Sequence, residues 1–201
     1  MNYLAHILLS GANKDIQLGN FIGDAVKGKD YQNYPISIRK GLLLHRQIDS
    51  FTDVHKIAHQ SKKRLHPRYG HYAGVIIDIL YDHFLCVNWS TYSNEPLDGF
   101  ITNFYENLLN NKVSVPDEIN IIIPKLISKD WFSSYKSIAG IGRVLKGMES
   151  IIKHDIPLSM GVIDLEEKFD LLNEDFNIFF PLLKEHSNKT LKTLHQHYGN
   201  K

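Results

Sequence analysis

Apolar residues recur at intervals of three and four along most of this chain, and the sustained alternation that a half-buried strand needs is hard to find in it. That period is the helical one, so the sequence predicts an all-α fold. Its 201 residues, 43% of them hydrophobic, suffice for one domain with a proper core. No internal repeat, low-complexity tract or long linker divides it. The expectation is a compact multi-helix single domain over residues 1–201.

Turn and cap chemistry places the elements. Pro35 suits the first turn of a helix through "ISIRKGLLLHRQIDSF", and Thr52 with Asp53 offers a capping start for a second, "VHKIAHQSKKRL", which Pro67 and Gly70 close. A third is predicted from about Tyr72 to Asn88, ended by "STYSNEP" before another begins near Leu97. Later helices are expected over "DEINIIIPKLIS", "SIAGIGRVLKGMESII" and "DLEEKFDLLNEDFNIFFPLLKEH", with Pro181 bending or splitting the last.

Lys plus Arg number 23 against 22 for Asp plus Glu, a formal net charge of +1, so no overall field points to nucleic acid or an anionic membrane as partner. The single cysteine, Cys86, can form no internal disulfide. The opening "MNYLAHILLSG" has no basic start and is too short to span a bilayer, so the expected setting is cytoplasmic. Locally the charge is uneven. No acidic residue occurs between Val54 and Ile77, where Lys56, Lys62, Lys63, Arg64 and Arg68 make a basic face. Asp164, Glu166, Glu167, Asp170, Glu174 and Asp175 form the opposite run, read as the solvated side of the last long helix.

The stretch "DILYDHFL", residues 78–85, sets two aspartates and a histidine among apolar neighbours. Asp78 and Asp82 fall one helical turn apart on one face. Two like charges in such company persist only with a shared proton, compensating bases or a cation between them. His83 adds an imidazole to the same place. "LLLHRQID" repeats the idea, with His45 and Asp49 four apart and Arg46 between them, and His6 in "NYLAHIL" and Asp24 in "GNFIGDAV" are two more polar groups flanked by apolar residues. Carboxylates mixed with imidazoles suit manganese, iron, zinc or magnesium, so the set reads as a divalent-metal site. The competing account is a buried ion-pair network in which Arg46 neutralises Asp49 and its neighbours; it leaves at least two carboxylates without a cation. His154 and Asp155 in "KHDIP" are read as a helix end or loop, because Pro157 follows and no second carboxylate or histidine stands one turn away.

Taken in order, "MNYLAH", "GNFIGD", "GLLLHRQIDSFTD" and "DILYDHFLCVNW" resemble the motif set of the acyl carrier protein phosphodiesterase family, and "WFSSY", "VLKGM" and the late "FFP" extend the likeness over nearly the whole chain. The resemblance implies an all-α fold related to the HD-type phosphohydrolases. It also implies dependence on Mn2+, or another divalent ion such as Mg2+ or Fe2+, and hydrolysis of 4′-phosphopantetheine from the serine of holo acyl carrier protein to leave the apo form. The family's polar positions fall on His6, Asp24, His45, Arg46, Asp49, Asp78, Asp82 and His83. Asp82 followed by His83 resembles the HD doublet in reverse.

On those positions the expected ligands are Asp24, His45, Asp82 and His83. Asp78 or Asp49 would orient a water or take its proton, Arg46 would neutralise phosphoryl charge, and His6 would be a further ligand or the acid for the departing serine oxygen. The carrier that the resemblance implies is strongly acidic, which gives Lys62, Lys63, Arg64 and Arg68 a purpose as its docking face. Two other functions suit the same residues: a phosphohydrolase of nucleotides or other small phosphodiesters, and a helical protein that holds the carrier without cleaving it.

Overall fold

The computed structural model describes residues 1–152 and 156–199, among which there is no strand. His154 and Asp155 lie outside the described residues. The chain begins with α1 (Tyr3–Leu9), α2 (Lys14–Phe21), α3 (Ile36–Val54), α4 (Lys56–Tyr69) and α5 (Ala73–Val87). The chain continues through α6 (Trp89–Tyr92), α7 (Leu97–Asn110), α8 (Asp117–Ser128), α9 (Trp131–Ser134), α10 (Ile138–Glu149) and α11 (Gly161–Glu167). It ends in α12 (Phe169–Tyr198), whose 30 residues span about 45 Å and pack along α3 and α4.

The helical period becomes burial. Leu4 and Ile7 of α1, Leu42, Leu44 and Ile48 of α3, Ile76, Leu80 and Phe84 of α5, and Phe176, Phe179 and Leu183 of α12 share one core. Each such side chain contributes about 1.5 to 3 kcal/mol by leaving water. Two glycines bring α2 and α3 together backbone to backbone. A Cβ on Gly19 would stand 2.1 Å from the Ile38 carbonyl oxygen, and one on Gly41 would stand 2.2 Å from that of Ile16. Neither position admits a side chain, and this crossing sets the end of α2 against the middle of α3.

Several boundaries differ from the sequence reading. Thr52 and Asp53 belong to the last turn of α3, where the Thr52 hydroxyl donates to the Ile48 carbonyl at 2.8 Å. His55 caps α4 instead, its ring accepting from the Ile57 amide at 3.3 Å. Pro67 stays inside α4 on an exposed face, where water can take the carbonyl it leaves unpaired, and the helix ends at Gly70, whose φ of +52° continues no α-helix. The break in the last helical stretch falls at Lys168, between α11 and α12, while α12 passes through Pro181 on its exposed side.

Glu166, Glu167, Asp170 and Glu174 of the acidic run are exposed, as its reading as a solvated face expects, but two members are not. Asp164 and Asp175 are 2% and 3% exposed. Asp175 accepts from the Arg64 Nε at 3.0 Å, the Ser61 hydroxyl at 2.7 Å and the Gln60 amide at 2.8 Å. Asp164 accepts from Arg68 at 2.7 Å and from the Tyr69 hydroxyl at 2.5 Å, and pairs with Lys168. The basic and acidic stretches thus join α4 to α11 and α12. Among the described residues no helix is long and apolar enough to cross a membrane.

Candidate metal centre

α1 carries His6, the end of α2 carries Asn20, the turn after it carries Asp24, and α3 carries His45, Arg46 and Asp49. Asn20 organises both imidazoles. Its amide nitrogen donates to the His6 carbonyl and the Ser10 hydroxyl oxygen, each at 2.9 Å, which fixes which way the amide faces. Its Oδ1 then accepts from His6 Nδ1 at 2.7 Å, and its backbone oxygen accepts from His45 Nδ1 at 2.8 Å. An amide oxygen carries no proton, so both rings hold hydrogen on Nδ1 and turn Nε2 the other way.

Those two nitrogens meet one carboxylate. His6 Nε2 lies 3.2 Å from Asp49 Oδ1, and His45 Nε2 lies 3.0 Å from Asp49 Oδ2 and 3.3 Å from Asp24 Oδ1. The rings stack with centroids 4.2 Å apart and planes 20° from parallel. Gly23 makes room for this, since a Cβ there would stand 2.2 Å from His45 Cγ. The ligand atoms of His6, His45 and Asp49 all lie within 4.8 Å of one another.

A divalent ion fits this donor set. His6 Nε2 is buried and has no hydrogen-bond partner, although it faces a carboxylate oxygen. Burial pushes the His6 pKa down, outweighing its contact with Asp49, so at neutral pH the ring brings a lone pair and not a proton to that face. Burial alone would lower His45 too, but its hydrogen bonds with Asp24 and Asp49 outweigh it and hold that ring at about 9. Burial would raise Asp49; contact with His45, His6 and the Met1 amine outweighs it and keeps Asp49 well below the usual carboxylate range. Two imidazole nitrogens and the Asp49 carboxylate therefore converge within reach of one cation, which would replace the proton on His45 Nε2, with Asp24 beside them.

The cluster opens onto a cleft of about 440 Å³ lined by Asp24, Lys27, His45, Arg46, Asp49 and Asp53. The Asp24 side chain is 73% exposed at its rim. Arg46 donates to the Val26 carbonyl at 3.1 Å and holds its guanidinium 5.1 Å over the Tyr31 ring.

Asp82 and His83 are not brought into this group. Asp82 is fully buried, with Oδ2 accepting from the Leu4 amide at 2.8 Å and Oδ1 from the Ala5 amide at 3.0 Å. It closes the first turn of α1 from beneath. Burial pushes its pKa up to about 7 although both amides favour the anion. His83 hydrogen-bonds the Tyr135 carbonyl through Nδ1 at 2.7 Å, packs near Phe84 and Phe169, and is kept neutral by burial. The shared face of Asp78 and Asp82 is real, but it runs under α1 and not into the cleft. Asp78 lies at its upper end, 3.3 Å from the Met1 amine, which is also 3.6 Å from Asp49.

The expected docking residues divide similarly. Arg64 and Arg68 are paired to Asp175 and Asp164 within the fold, and Lys62 pairs at 3.1 Å with Asp53 of the cleft. Lys63 is exposed and lines a separate groove with Lys56 and His59. Three contributors escaped the sequence reading: Asn20, Gly23 and the Met1 amine. The first two sit in "GNFIGD", where a polar residue in apolar company and a second glycine were the available signals.

The family described as acyl carrier protein phosphodiesterase matches residues 1–183. A Photorhabdus laumondii protein of that name is 30% identical over 189 residues, 92% of this chain and 94% of its own. One from an Enterobacter species is 30% identical over 193 residues, 95% of this chain and all of its own, and one from Escherichia coli O139:H28 is 28% identical over the same length. No solved structure matches, so kinship with the HD-type phosphohydrolases rests on the motif resemblance alone. With a family match of that extent and relatives aligned end to end, the chain belongs to the acyl carrier protein phosphodiesterase family.

Proposed function

We propose that this chain hydrolyses the phosphodiester linking 4′-phosphopantetheine to the serine of holo acyl carrier protein, using Mn2+ or a similar divalent ion. The observation that carries the metal is the unpartnered, buried His6 Nε2 converging with His45 and Asp49 at the floor of an open cleft. The name shared by the family and its relatives supports the substrate.

His6, His45 and Asp49 would hold the ion, with Asp24 completing the set from the rim. When bound, a divalent ion there supplies positive charge to the phosphoryl oxygens and makes water a better nucleophile at neutral pH. Arg46, beside the cleft, neutralises charge that grows on those oxygens, and Lys27 adds a second cation on the same wall. Asp24 is the carboxylate with room to meet an incoming water. His6 is 2% exposed, which supports the ligand role over that of acid for the departing serine oxygen. Asp82 and Asp78 would position α1 and its amine. An acidic carrier would meet Lys56, His59 and Lys63, whose groove begins at Val54, one residue beyond the cleft residue Asp53.

Mass spectrometry of a holo carrier incubated with the protein and manganese tests the proposal directly. Loss of the whole phosphopantetheinyl group is expected. A carrier left intact with every divalent ion tried would refute it.

A further inference from the structure

Arg46 borders a second hollow. This one, of about 440 Å³, lies between α3 and α12 and is lined by Leu43, Gln47, His186, Thr190 and Leu194 as well as Arg46. His186, Thr190 and Leu194 are spaced four apart on α12 and so form one strip about 12 Å long. Leu43 and Gln47, also four apart, face it from α3. The lining is two leucines, an amide, hydroxyls and cations, with no carboxylate in it. His186 stacks on Phe51 with centroids 4.6 Å apart, and its Nε2 is buried without a hydrogen-bond partner. A buried polar atom left so is costly, and an incoming hydrogen-bonding group would remove the cost.

The pantetheine arm is a narrow, uncharged chain of amides and methylenes with a geminal dimethyl group next to its phosphate. Resting on the function proposed above, we infer that the hollow between α3 and α12 receives this arm. Arg46, shared by both cavities, stands where the phosphate passes from one to the other. Leu43 and Leu194 pack against the methyl groups, and Gln47, Thr190 and His186 meet the amides. The protein thereby reads the prosthetic group through contacts that the apo product no longer offers.

Leu194→Trp and, separately, Thr190→Trp fill the strip from positions that are partly exposed, with circular dichroism reporting the fold. The reading is the ratio of kcat/KM for holo carrier to that for bis(p-nitrophenyl) phosphate, both with manganese. The ratio is expected to fall at least tenfold in both variants. Free 4′-phosphopantetheine should also lose at least tenfold as an inhibitor of the small diester, while inorganic phosphate keeps its effect. A folded variant with ratio and inhibition unchanged overturns the arm assignment alone. Wild-type protein that cleaves the small diester but leaves the holo carrier intact overturns the function itself, and this inference with it.

Discussion

Asp82 holds the amide of Leu4 at 2.8 Å, and through that bond a carboxylate on α5 fixes the helix that presents His6 two residues later. A second bond, to Ala5 at 3.0 Å, makes the hold two-pronged. Asp82→Ala would leave both amides buried without an acceptor, at about 1 to 3 kcal/mol each. The expected result is a loss of about 2 to 6 kcal/mol in urea denaturation, together with weaker metal binding. Unchanged stability would mean that α1 is held by its apolar contacts alone.

Asn20 aims His6 through its side-chain oxygen and His45 through its backbone oxygen, and Asn20→Ala removes only the first. That substitution should lower manganese affinity about 10- to 100-fold, the usual effect of removing a group that positions a metal ligand. Calorimetric titration of the metal-free protein measures it. Affinity within twofold of wild type would show that stacking on His45 suffices to aim His6.

Gly23 and Gly147 offer a paired comparison. Gly23→Ala puts a methyl 2.2 Å from His45 Cγ and should displace the ring, cutting activity at least tenfold. Gly147 lies within α10 with nothing within 4 Å of a Cβ, so Gly147→Ala should leave activity alone and add about 0.5 to 1 kcal/mol of stability. Equal activities for the two variants would remove His45 from the site.

His45, held at about 9, is protonated in the metal-free protein at neutral pH. An ion must displace that proton, so binding should release about one proton at pH 7 and tighten roughly tenfold per pH unit until about 9. For the metal-free fold the sign is opposite. Because the folded value is raised from 6.5, the stability it gives is complete below 6.5 and is lost as pH rises through about 9. Titration in buffers of different ionisation enthalpy reads the proton count; a count of zero contradicts the assignment of His45 as a ligand.

The longer helices were legible from their apolar spacing, and α8 begins and ends where "DEINIIIPKLIS" does, while the short α1, α2, α6 and α9 were not predicted. Pro181 does not split α12 because a proline on an exposed helical face leaves a carbonyl that water can satisfy, and a one-dimensional string does not show which face is exposed. His45 and Asp49 were legible as an i, i+4 pair, and the structure keeps them together at 3.0 Å. Asp78 and Asp82 presented the same pattern, yet α5 directs them under α1. Spacing reports which side chains share a face, and only packing decides what that face meets. His6 reached the cluster through α1, and no spacing rule links residues 6 and 45.

The joining of Arg64 to Asp175 and Arg68 to Asp164 changes what an approaching molecule senses. A stretch that looks strongly cationic when counted along the chain is largely cancelled at home, and the positive potential reaching outward contracts to the neighbourhood of Lys56 and Lys63. Recognition of an acidic visitor would then depend on a small spot close to the catalytic mouth, and salt should weaken the encounter less steeply than five separate cations would suggest.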